Sequence, residues 1–256
     1  TLDQSERFYT LGVYGIVELA LSDWRFRASL RADTHYIKLV DFMGTNSDKK
    51  NLSAYSPHVA AFYSFSPTLS SYIRWGTGFE TPSLNELSSN PTGETGFNNV
   101  LRPQQSQEIE VGIQLKTKIS DASLTVFTTT TQDEILSYEL SAFPGQDFFR
   151  NIGRVDRKGI EATANLLIDE TTTLKLNYSH GTYKTQDGND LPNVPGIQFN
   201  AGLNHLFGKT NVSLNIRHVG KRYADSKNLV EVPRFWAIDL YSQSKWGITT
   251  WTLGIC

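Results

Sequence analysis

The chain has 256 residues, with 24 Lys and Arg against 26 Asp and Glu, so its formal net charge is −2. This near balance gives no basic surface of the kind that nucleic-acid binding needs, and we predict no nucleic-acid partner. The single cysteine, Cys256, excludes an intrachain disulfide framework and a metal cluster built on thiolates. No apolar run approaches the roughly 18 residues of a transmembrane helix. The length suits one large all-β domain over residues 1–256.

Apolar and polar residues alternate with a period of two along much of the chain, which is the pattern of β-strands. A tight turn at residues 21–23 precedes the clearest strand, whose two faces differ in chemistry. One face carries Trp24, Phe26, Ala28, Leu30 and Ala32. The other face carries Arg25, Arg27, Ser29, Arg31, Asp33 and His35.

Tight turns alternate with long polar connections. We predict turns near residues 22, 67, 119, 170, 208 and 247. We predict loops at about 41–53, 80–104, 137–146, 186–190 and 220–232, and one long strand over about 147–168. A soluble sandwich has no reason to gather its long loops at one end, whereas an outer-membrane barrel has short turns on one rim and long loops on the other. The aromatic residues near turns, Trp24, Phe207 and Trp246, fit an interfacial girdle or are ordinary strand aromatics.

The most distinctive motif is SYIRWGTGFETPSLNEL, which starts at Ser71. It begins as a strand and leaves the sheet at Pro82, which has no N–H to donate to a β-ladder. After a polar loop comes LRPQQSQEIEVGIQ, from Leu101 to Gln114. These two segments resemble the barrel of TonB-dependent outer-membrane receptors, whose pattern is roughly G-F-x-x-P-[ST]-x-x-E-L and then L-x-P-E-x-[ST]-x-x-x-E-x-G. Gln104 stands where the family usually has Glu.

Two further sequence blocks resemble motifs of the same family and follow in the same order along the chain. Residues 151–161 resemble N-x-G-x-x-x-x-x-G-x-E, and residues 191–195 resemble the entry to a later strand. The sequence of the first motif is most similar to that of receptors of the ferric-dicitrate and pyrroloquinoline-quinone type. The resemblance implies structural roles for the motif residues Phe79, Pro82, Asn85, Glu86, Leu87, Gly159 and Glu161.

We count about twelve strands in the alternating pattern. The resemblance implies that they are antiparallel strands of an all-β transmembrane barrel of 22 strands, in the outer membrane of a Gram-negative bacterium. It implies that the plug domain and the last strands of the barrel are absent from residues 1–256. The implied function is import of a scarce nutrient, a ferric siderophore or ferric citrate, or another cargo such as a redox cofactor. Energy would come from the TonB complex acting on the plug. The implied partners are the cargo, TonB and membrane lipid, with no resident cofactor and no enzymatic activity.

Arginine suits an anionic chelate because its guanidinium forms bidentate hydrogen bonds with carboxylates. The residue types and their loop positions predict ligand contacts at Arg102, Tyr138, Arg150, Arg222 and Tyr223, with Phe143 as a further aromatic wall. For each, the alternative is a solvated side chain or one that packs loop against loop. The charged residues lower on the polar face are predicted to contact the plug or one another: Arg25, Arg27, Arg31, Glu108, Glu110 and Glu161.

Two hypotheses from other classes stay open. The first is a closed twelve-stranded outer-membrane barrel that hydrolyses lipid, for which His218 is the histidine to test because it shares the parity of the apolar residues around it. The second is a soluble all-β binding module. The histidines show no metal-ligand spacing, and we predict no metal site.

Overall fold

The computed structural model describes residues 4–42, 47–92 and 96–255. The elements in chain order are β1 (Gln4–Leu21), β2 (Trp24–Asp41), β3 (Ser47–Ser64), β4 (Leu69–Glu80), α1 (Leu84–Ser88), β5 (Gln104–Lys116), β6 (Ser120–Gln132), β7 (Ile135–Leu140), β8 (Phe143–Asn151), β9 (Val155–Asp169), β10 (Thr172–Thr185), β11 (Ile197–Phe207), β12 (Thr210–Val219), β13 (Arg222–Tyr223), β14 (Glu231–Val232), β15 (Phe235–Trp246) and β16 (Thr249–Ile255). Twelve of the strands form one antiparallel sheet in the order β1-β2-β3-β4-β5-β6-β9-β10-β11-β12-β15-β16. The prediction of about twelve antiparallel strands is confirmed. No helix among the described residues is long and apolar enough to cross a membrane.

All six predicted tight turns lie at one end of the sheet, which we call the turn end. Consecutive strands pair with each other, so every second connection returns to the same end. The opposite end, the long-loop end, carries the connections at 133–154, 186–196 and 220–234, together with the described parts of the connections 42–46 and 81–103. The predicted segregation of short turns and long connections is therefore confirmed.

The strand register gives the sheet two chemically different faces. Val17, Ala28 and Val59 lie opposite one another on what we call the outer face. Apolar side chains there are left uncovered by the chain, as Leu11 and Val17 show with 71% of their surface exposed. Exposed apolar residues on one whole face of a sheet are those of a barrel wall that meets lipid.

The opposite, inner face carries ion pairs between neighbouring strands. Glu18 lies opposite Arg27, and their side chains are 2.7 Å apart. Arg74 bridges Glu108 at 3.3 Å and also pairs with Glu110, to which the Tyr72 hydroxyl donates. Other cations of this face are also engaged: Arg31 pairs with Asp33 at 2.7 Å, and Arg25 lies over the Phe62 ring at 4.4 Å.

The buried apolar cluster of the described residues lies at the long-loop end, and we call it the loop core. Its members are Ile37, Leu39, Leu87, Phe97 and Leu101, with Leu52, Leu84, Ile135 and Phe149 packed against them. Ile37 and Leu39 continue the inner face of β2, which is charged from Arg25 to Asp33. This face becomes apolar where the connection 81–103 folds over it, because apolar side chains of that connection need a partner surface.

Several predicted loops are shorter or more ordered than expected. The loop predicted at 41–53 is wrong in extent, because β3 begins at Ser47 and pairs with β2 along its whole length. Lys50 and Leu52 of this polar stretch face the loop core. The loop predicted at 80–104 contains α1, and the one at 220–232 contains the short pair β13–β14.

The region 133–154 departs most from expectation. A loop was predicted at 137–146 and one strand over 147–168, but β7 and β8 form a separate hairpin whose turn is at residues 141–142. The long strand is divided because its two halves have different partners: β8 pairs with β7, and β9 pairs with β6.

Candidate ligand-binding site

The short helix α1 anchors the connection 81–103. Ser83 and Glu86 form a capping box, in which the Ser83 hydroxyl accepts from the Glu86 N–H at 3.3 Å and the Glu86 carboxylate accepts from the Ser83 N–H at 2.7 Å. The box satisfies two of the backbone donors that a helix start leaves free. Pro82 and Leu87 are buried, and the Asn85 carbonyl accepts from the Ser89 N–H at 3.1 Å.

The remaining motif residues lie in the sheet. The Phe79 ring stacks on His35, with 6.0 Å between ring centroids. A Cβ added to Gly159 would come within 2.8 Å of the His180 carbonyl oxygen on the neighbouring strand. Glu161 lies on the inner face, opposite Thr125 and Ser179.

Two side chains of β3 hold the connection 81–103 from below. The Lys50 ammonium donates to the Leu101 carbonyl at 2.6 Å. The Asp48 carboxylate accepts from the Phe97 N–H at 3.2 Å and from the Asn99 amide at 2.9 Å. The connection is therefore held by polar contacts as well as by the loop core.

Arg102 joins this connection to the region 133–154. Its guanidinium lies 2.6 Å from the Asp133 carboxylate, and 68% of its side chain is exposed. Its N–H donates to the Asn151 side chain, whose amide group donates in turn to the carbonyls of Arg102 and Asp133. The backbone at Arg102 is fixed, while its guanidinium reaches the surface.

Tyr138 and Arg150 lie together on the hairpin β7–β8. The Arg150 guanidinium is 5.1 Å from the centroid of the Tyr138 ring, a cation–π arrangement. Phe148, opposite Tyr138, is 1% exposed, whereas the Arg150 and Phe143 side chains are exposed. The hairpin thus presents an exposed cation and aromatic surface on a buried base.

Arg222 and Tyr223 line a second feature, a cavity of about 260 Å³ between the connections 186–196 and 220–234. Tyr183, Asp190 and Lys221 also line it. The Nη1 atom of Arg222 is buried and has no hydrogen-bond partner among the described residues. Lys221 pairs with Glu231 at 3.0 Å, and this hydrogen bond raises the pKa of Lys221.

The side chain of Asn228 forms hydrogen bonds between the two connections around this cavity, 186–196 and 220–234. Asn228 accepts from the Asp190 N–H at 2.6 Å and donates to the Asp190 carbonyl at 2.9 Å. Asn228 has a φ of 57°, in the left-handed region that asparagine tolerates. Asp225 accepts from the N–H groups of Lys227, Leu229 and Val230 and closes the turn that presents Asn228. These hydrogen bonds hold the upper wall of the cavity in place.

The structure thus divides the five predicted ligand residues into two groups. Arg102, Tyr138 and Arg150 lie in or against the region 133–154, and Arg222 and Tyr223 line the cavity. The prediction missed the residues that hold these groups, Asp48, Lys50 and Asn228. A local signal existed only for the last of these, because Asp225-Ser-Lys-Asn is a sequence typical of a side-chain-closed turn.

His218 lies on the outer face and makes main-chain and aromatic contacts. Its Nδ1 is 3.1 Å from the Phe235 carbonyl oxygen, and its ring stacks on Trp236 with 4.3 Å between centroids. No hydrogen bond joins it to a described serine. Within the described parts of the chain, no three His, Cys, Asp or Glu side chains form a group that could hold a metal ion.

The family described as "TonB dependent receptor-like, beta-barrel" matches residues 1–255. The chain is 25% identical to the ferrioxamine receptor of Yersinia enterocolitica, over 98% of this chain and 34% of that protein. It is 24% identical to the vitamin B12 transporter BtuB of Photobacterium profundum, over 86% of this chain and 34% of that protein. It spans about a third of the length of these curated relatives.

The comparison with solved structures gives the same result for the fold. The ferric citrate transporter FecA in its unliganded form superposes with a TM-score of 0.79 at 14% identity, over 99% of this chain and 40% of that chain. At this identity the likeness concerns the fold alone. Together with the family match over residues 1–255, it explains the open twelve-stranded sheet as part of a larger barrel. The chain belongs to the TonB-dependent receptor family and forms part of its outer-membrane β-barrel.

Proposed function

We propose that this chain is part of a receptor that binds an iron chelate at the long-loop end and imports it, with energy from TonB acting through a plug domain. The observation that carries the proposal is the pair of cation and aromatic groups at that end. Arg150 lies over Tyr138, and Arg222 lines a cavity of about 260 Å³ with Tyr223. The proposal assigns the chain no catalytic step.

The chemistry of Arg222 supports an anionic cargo. A buried donor without a partner costs free energy that a ligand oxygen can recover by accepting a hydrogen bond. Nη1 of Arg222 is such a donor among the described residues. Carboxylate or hydroxamate oxygens at the periphery of a ferric chelate are acceptors of this kind, and aromatic walls such as Tyr223 cover its apolar parts.

The relatives support two cargo classes. One is named a ferrioxamine receptor and another a vitamin B12 transporter. We favour the iron chelate because the candidate residues are cationic and complement an anionic ligand. A redox cofactor or another small chelate is the second choice.

The test uses the intact receptor that carries this barrel segment. Binding of ferrioxamine, ferric citrate and vitamin B12 is measured on outer membranes, and uptake is measured in cells with and without TonB. Replacement of Arg150 or Arg222 by Gln is expected to weaken binding of the cargo by about 10- to 100-fold, because a hydrogen bond to a charged group contributes roughly 1.5–3 kcal/mol.

The matched control is Arg154→Gln, since Arg154 is already paired with Asp156 at 2.8 Å. The control should keep the affinity of the unmodified receptor. Binding of none of the three cargoes, or uptake that does not depend on TonB, would overturn the proposal. Equal losses in Arg154→Gln and Arg222→Gln would remove the assigned residues while leaving the transport function standing.

A further inference from the structure

A row of three cations crosses the first three strands at the long-loop end. Arg7 of β1 lies directly opposite Lys38 of β2, and Lys38 lies directly opposite Lys49 of β3. Neighbouring strands are about 4.8 Å apart, so the three side chains start within about 10 Å of one another. We call these residues the cation row.

The cation row is on the outer face. Lys38 lies between Ile37 and Leu39, which are buried on the inner face at 0% and 1% exposure. Side chains alternate along a strand, so Lys38 points the other way. Arg7 and Lys49 share its side because directly opposite residues of paired strands point to the same face.

The position of the row along the strands matches the surface of a membrane. On the outer face of β2, Trp24 stands at the turn end and Tyr36 follows it by 12 residues. At about 3.4 Å per residue and a strand tilt of about 45°, these aromatics are separated by roughly 29 Å along the membrane normal. This distance is close to the hydrocarbon thickness of about 30 Å.

Tyr36 has an aromatic partner, Tyr9, whose ring centroid is 6.2 Å away. Tyrosines at this level mark the upper edge of the apolar band, where aromatic girdles lie. The cation row follows two residues beyond Tyr36, which is about 5 Å further along the normal. It therefore stands at the level of lipid headgroups.

No acidic side chain neutralises the row within the described parts of the chain, where none of the three cations takes part in an ion pair. Two other cations at the long-loop end are paired, Lys184 with Asp190 and Lys221 with Glu231. The outer-face neighbours in the adjoining rows are uncharged: Ser5, Val40 and Ser47 on one side and Tyr9, Tyr36 and Asn51 on the other. Like charges placed directly opposite each other destabilise a sheet. An external anion would remove this cost.

We propose that Arg7, Lys38 and Lys49 bind the phosphate groups of an anionic lipid in the leaflet on the long-loop side of the membrane. The acyl chains of this lipid lie along Leu11 and Val13, the exposed apolar residues below the row. The proposal rests on the barrel fold and not on the identity of the cargo. Lipid binding and cargo binding can therefore fail separately.

The experiment compares two lipids that differ only in phosphate. The intact receptor is stripped of lipid in a neutral detergent, and its dissociation constants for phosphorylated lipid A and for dephosphorylated lipid A with the same acyl chains are measured. The phosphorylated form should bind more tightly, and its affinity should fall as salt is added, because exposed charges are screened. Inorganic phosphate alone is the third probe.

The test variant carries Arg7→Gln, Lys38→Gln and Lys49→Gln. Each cation near a lipid surface contributes about a five-fold gain in affinity, so the triple variant should lose on the order of 100-fold. The matched control carries Lys118→Gln, Lys209→Gln and Lys227→Gln, three exposed lysines outside the row with the same change of net charge. The control should keep the affinity of the unmodified receptor.

A thermal measurement separates lost binding from lost folding. In neutral detergent the triple variant should melt no lower than the unmodified receptor, because like-charge repulsion has been removed. Phosphorylated lipid A should raise the melting temperature of the unmodified receptor and not that of the variant. Equal affinity for the two forms of lipid A, equal losses in test and control variants, or inorganic phosphate binding as tightly as the lipid would each overturn the proposal.

Discussion

Leu87 is fully buried in the loop core, while Val100 of the same connection is 85% exposed. Single residues of the connection 81–103 therefore contribute very differently to its stability. The buried residues pack α1 against β2 and against the hairpin β7–β8. Truncation of Leu87 therefore weakens the packing of α1 on both. The exposed ones can be replaced without loss of packing.

We expect Leu87→Ala to loosen the connection 81–103. Truncation of a buried leucine costs about 2–5 kcal/mol, part of it from the cavity that is left. Hydrogen exchange of residues 81–103 in the detergent-solubilised receptor should become faster. Val100→Ala is the control and should leave the exchange rates unchanged; equal acceleration by both variants would contradict the assigned core.

We expect Asp225→Asn to destabilise the turn at 225–230 in a pH-dependent way. Hydrogen bonds from the backbone N–H of Val230, and then of Leu229 and Lys227, lower the pKa of the Asp225 carboxyl. A lowered folded-state pKa means that the contribution is fully present above the unfolded value of about 3.9 and is lost as the pH falls through the folded value. The two proteins should therefore differ most above about pH 5 and converge in acid.

Amide exchange at Leu229 and Val230 across this pH range measures the effect. Asp187→Asn is the control, because Asp187 is an exposed carboxylate of the neighbouring connection. A difference between Asp225→Asn and the unmodified receptor that grows in acid would contradict the assigned role.

At the scale of elements, close approach between β9 and β10 depends on Gly159. Gly159 lies opposite Gly181, and a Cβ on either would come within 2.8 Å of a backbone carbonyl oxygen on the other strand. Backbone atoms of a paired strand cannot move aside without disturbing the ladder. The family motif has a glycine at this position because the neighbouring strand leaves no room for a side chain.

We expect Gly159→Val to destabilise the pairing of β9 with β10 by about 1–3 kcal/mol, the usual cost of overpacking. Folding into lipid vesicles, followed by the protease-resistant fraction, measures the effect. Gly15→Val is the control, since a Cβ there meets nothing within 4 Å. If both variants fold equally well, the close approach is not a constraint.

At the scale of the whole molecule, the two faces of the sheet have different surroundings. Leu30 is on the outer face, 51% exposed, midway between the aromatics Trp24 and Tyr36. Asn215 is at a similar height on the inner face, directly opposite Asp239. A charge should be costly at the first position and tolerated at the second.

We expect Leu30→Lys to lower the free energy of unfolding in phospholipid vesicles by about 2–4 kcal/mol, the cost of a cation at the middle of the bilayer. Asn215→Lys should cost little, because it gains a neighbouring carboxylate, Asp239, on the polar inner face away from lipid. Denaturant titration of both variants measures the difference. Equal costs would mean that the faces have been assigned to the wrong surroundings.

Sequence was enough to predict the wall of the barrel. Alternation gives the two faces of each strand, and the spacing of turns gives the count and direction of strands; both depend only on residues near one another in the chain. The same local signals placed polar loops at one end and pointed to Arg102, Arg150 and Arg222 as candidates for ligand binding, which remain predictions.

The long-loop end could not be predicted in the same way. The predicted loops at 41–53 and 137–146 are largely β-strand, in β3 and in the hairpin β7–β8, although their polar composition is typical of loops. The packing of this end depends on residues that are far apart in the chain. Ile37 meets Leu87, Lys50 holds Leu101, and Asp190 pairs with Asn228. No periodicity in the sequence indicates which loops will touch.

The sequence by itself therefore determined the sheet, its faces and its family, since these follow from the period of side chains and from short motifs. Only the tertiary structure decided how the connections pack, which arginines are held and which keep a free donor, and that three cations from separate strands form one row. The physical reason is that contacts between distant segments depend on strand register and on shared burial. A one-dimensional pattern does not contain either of these.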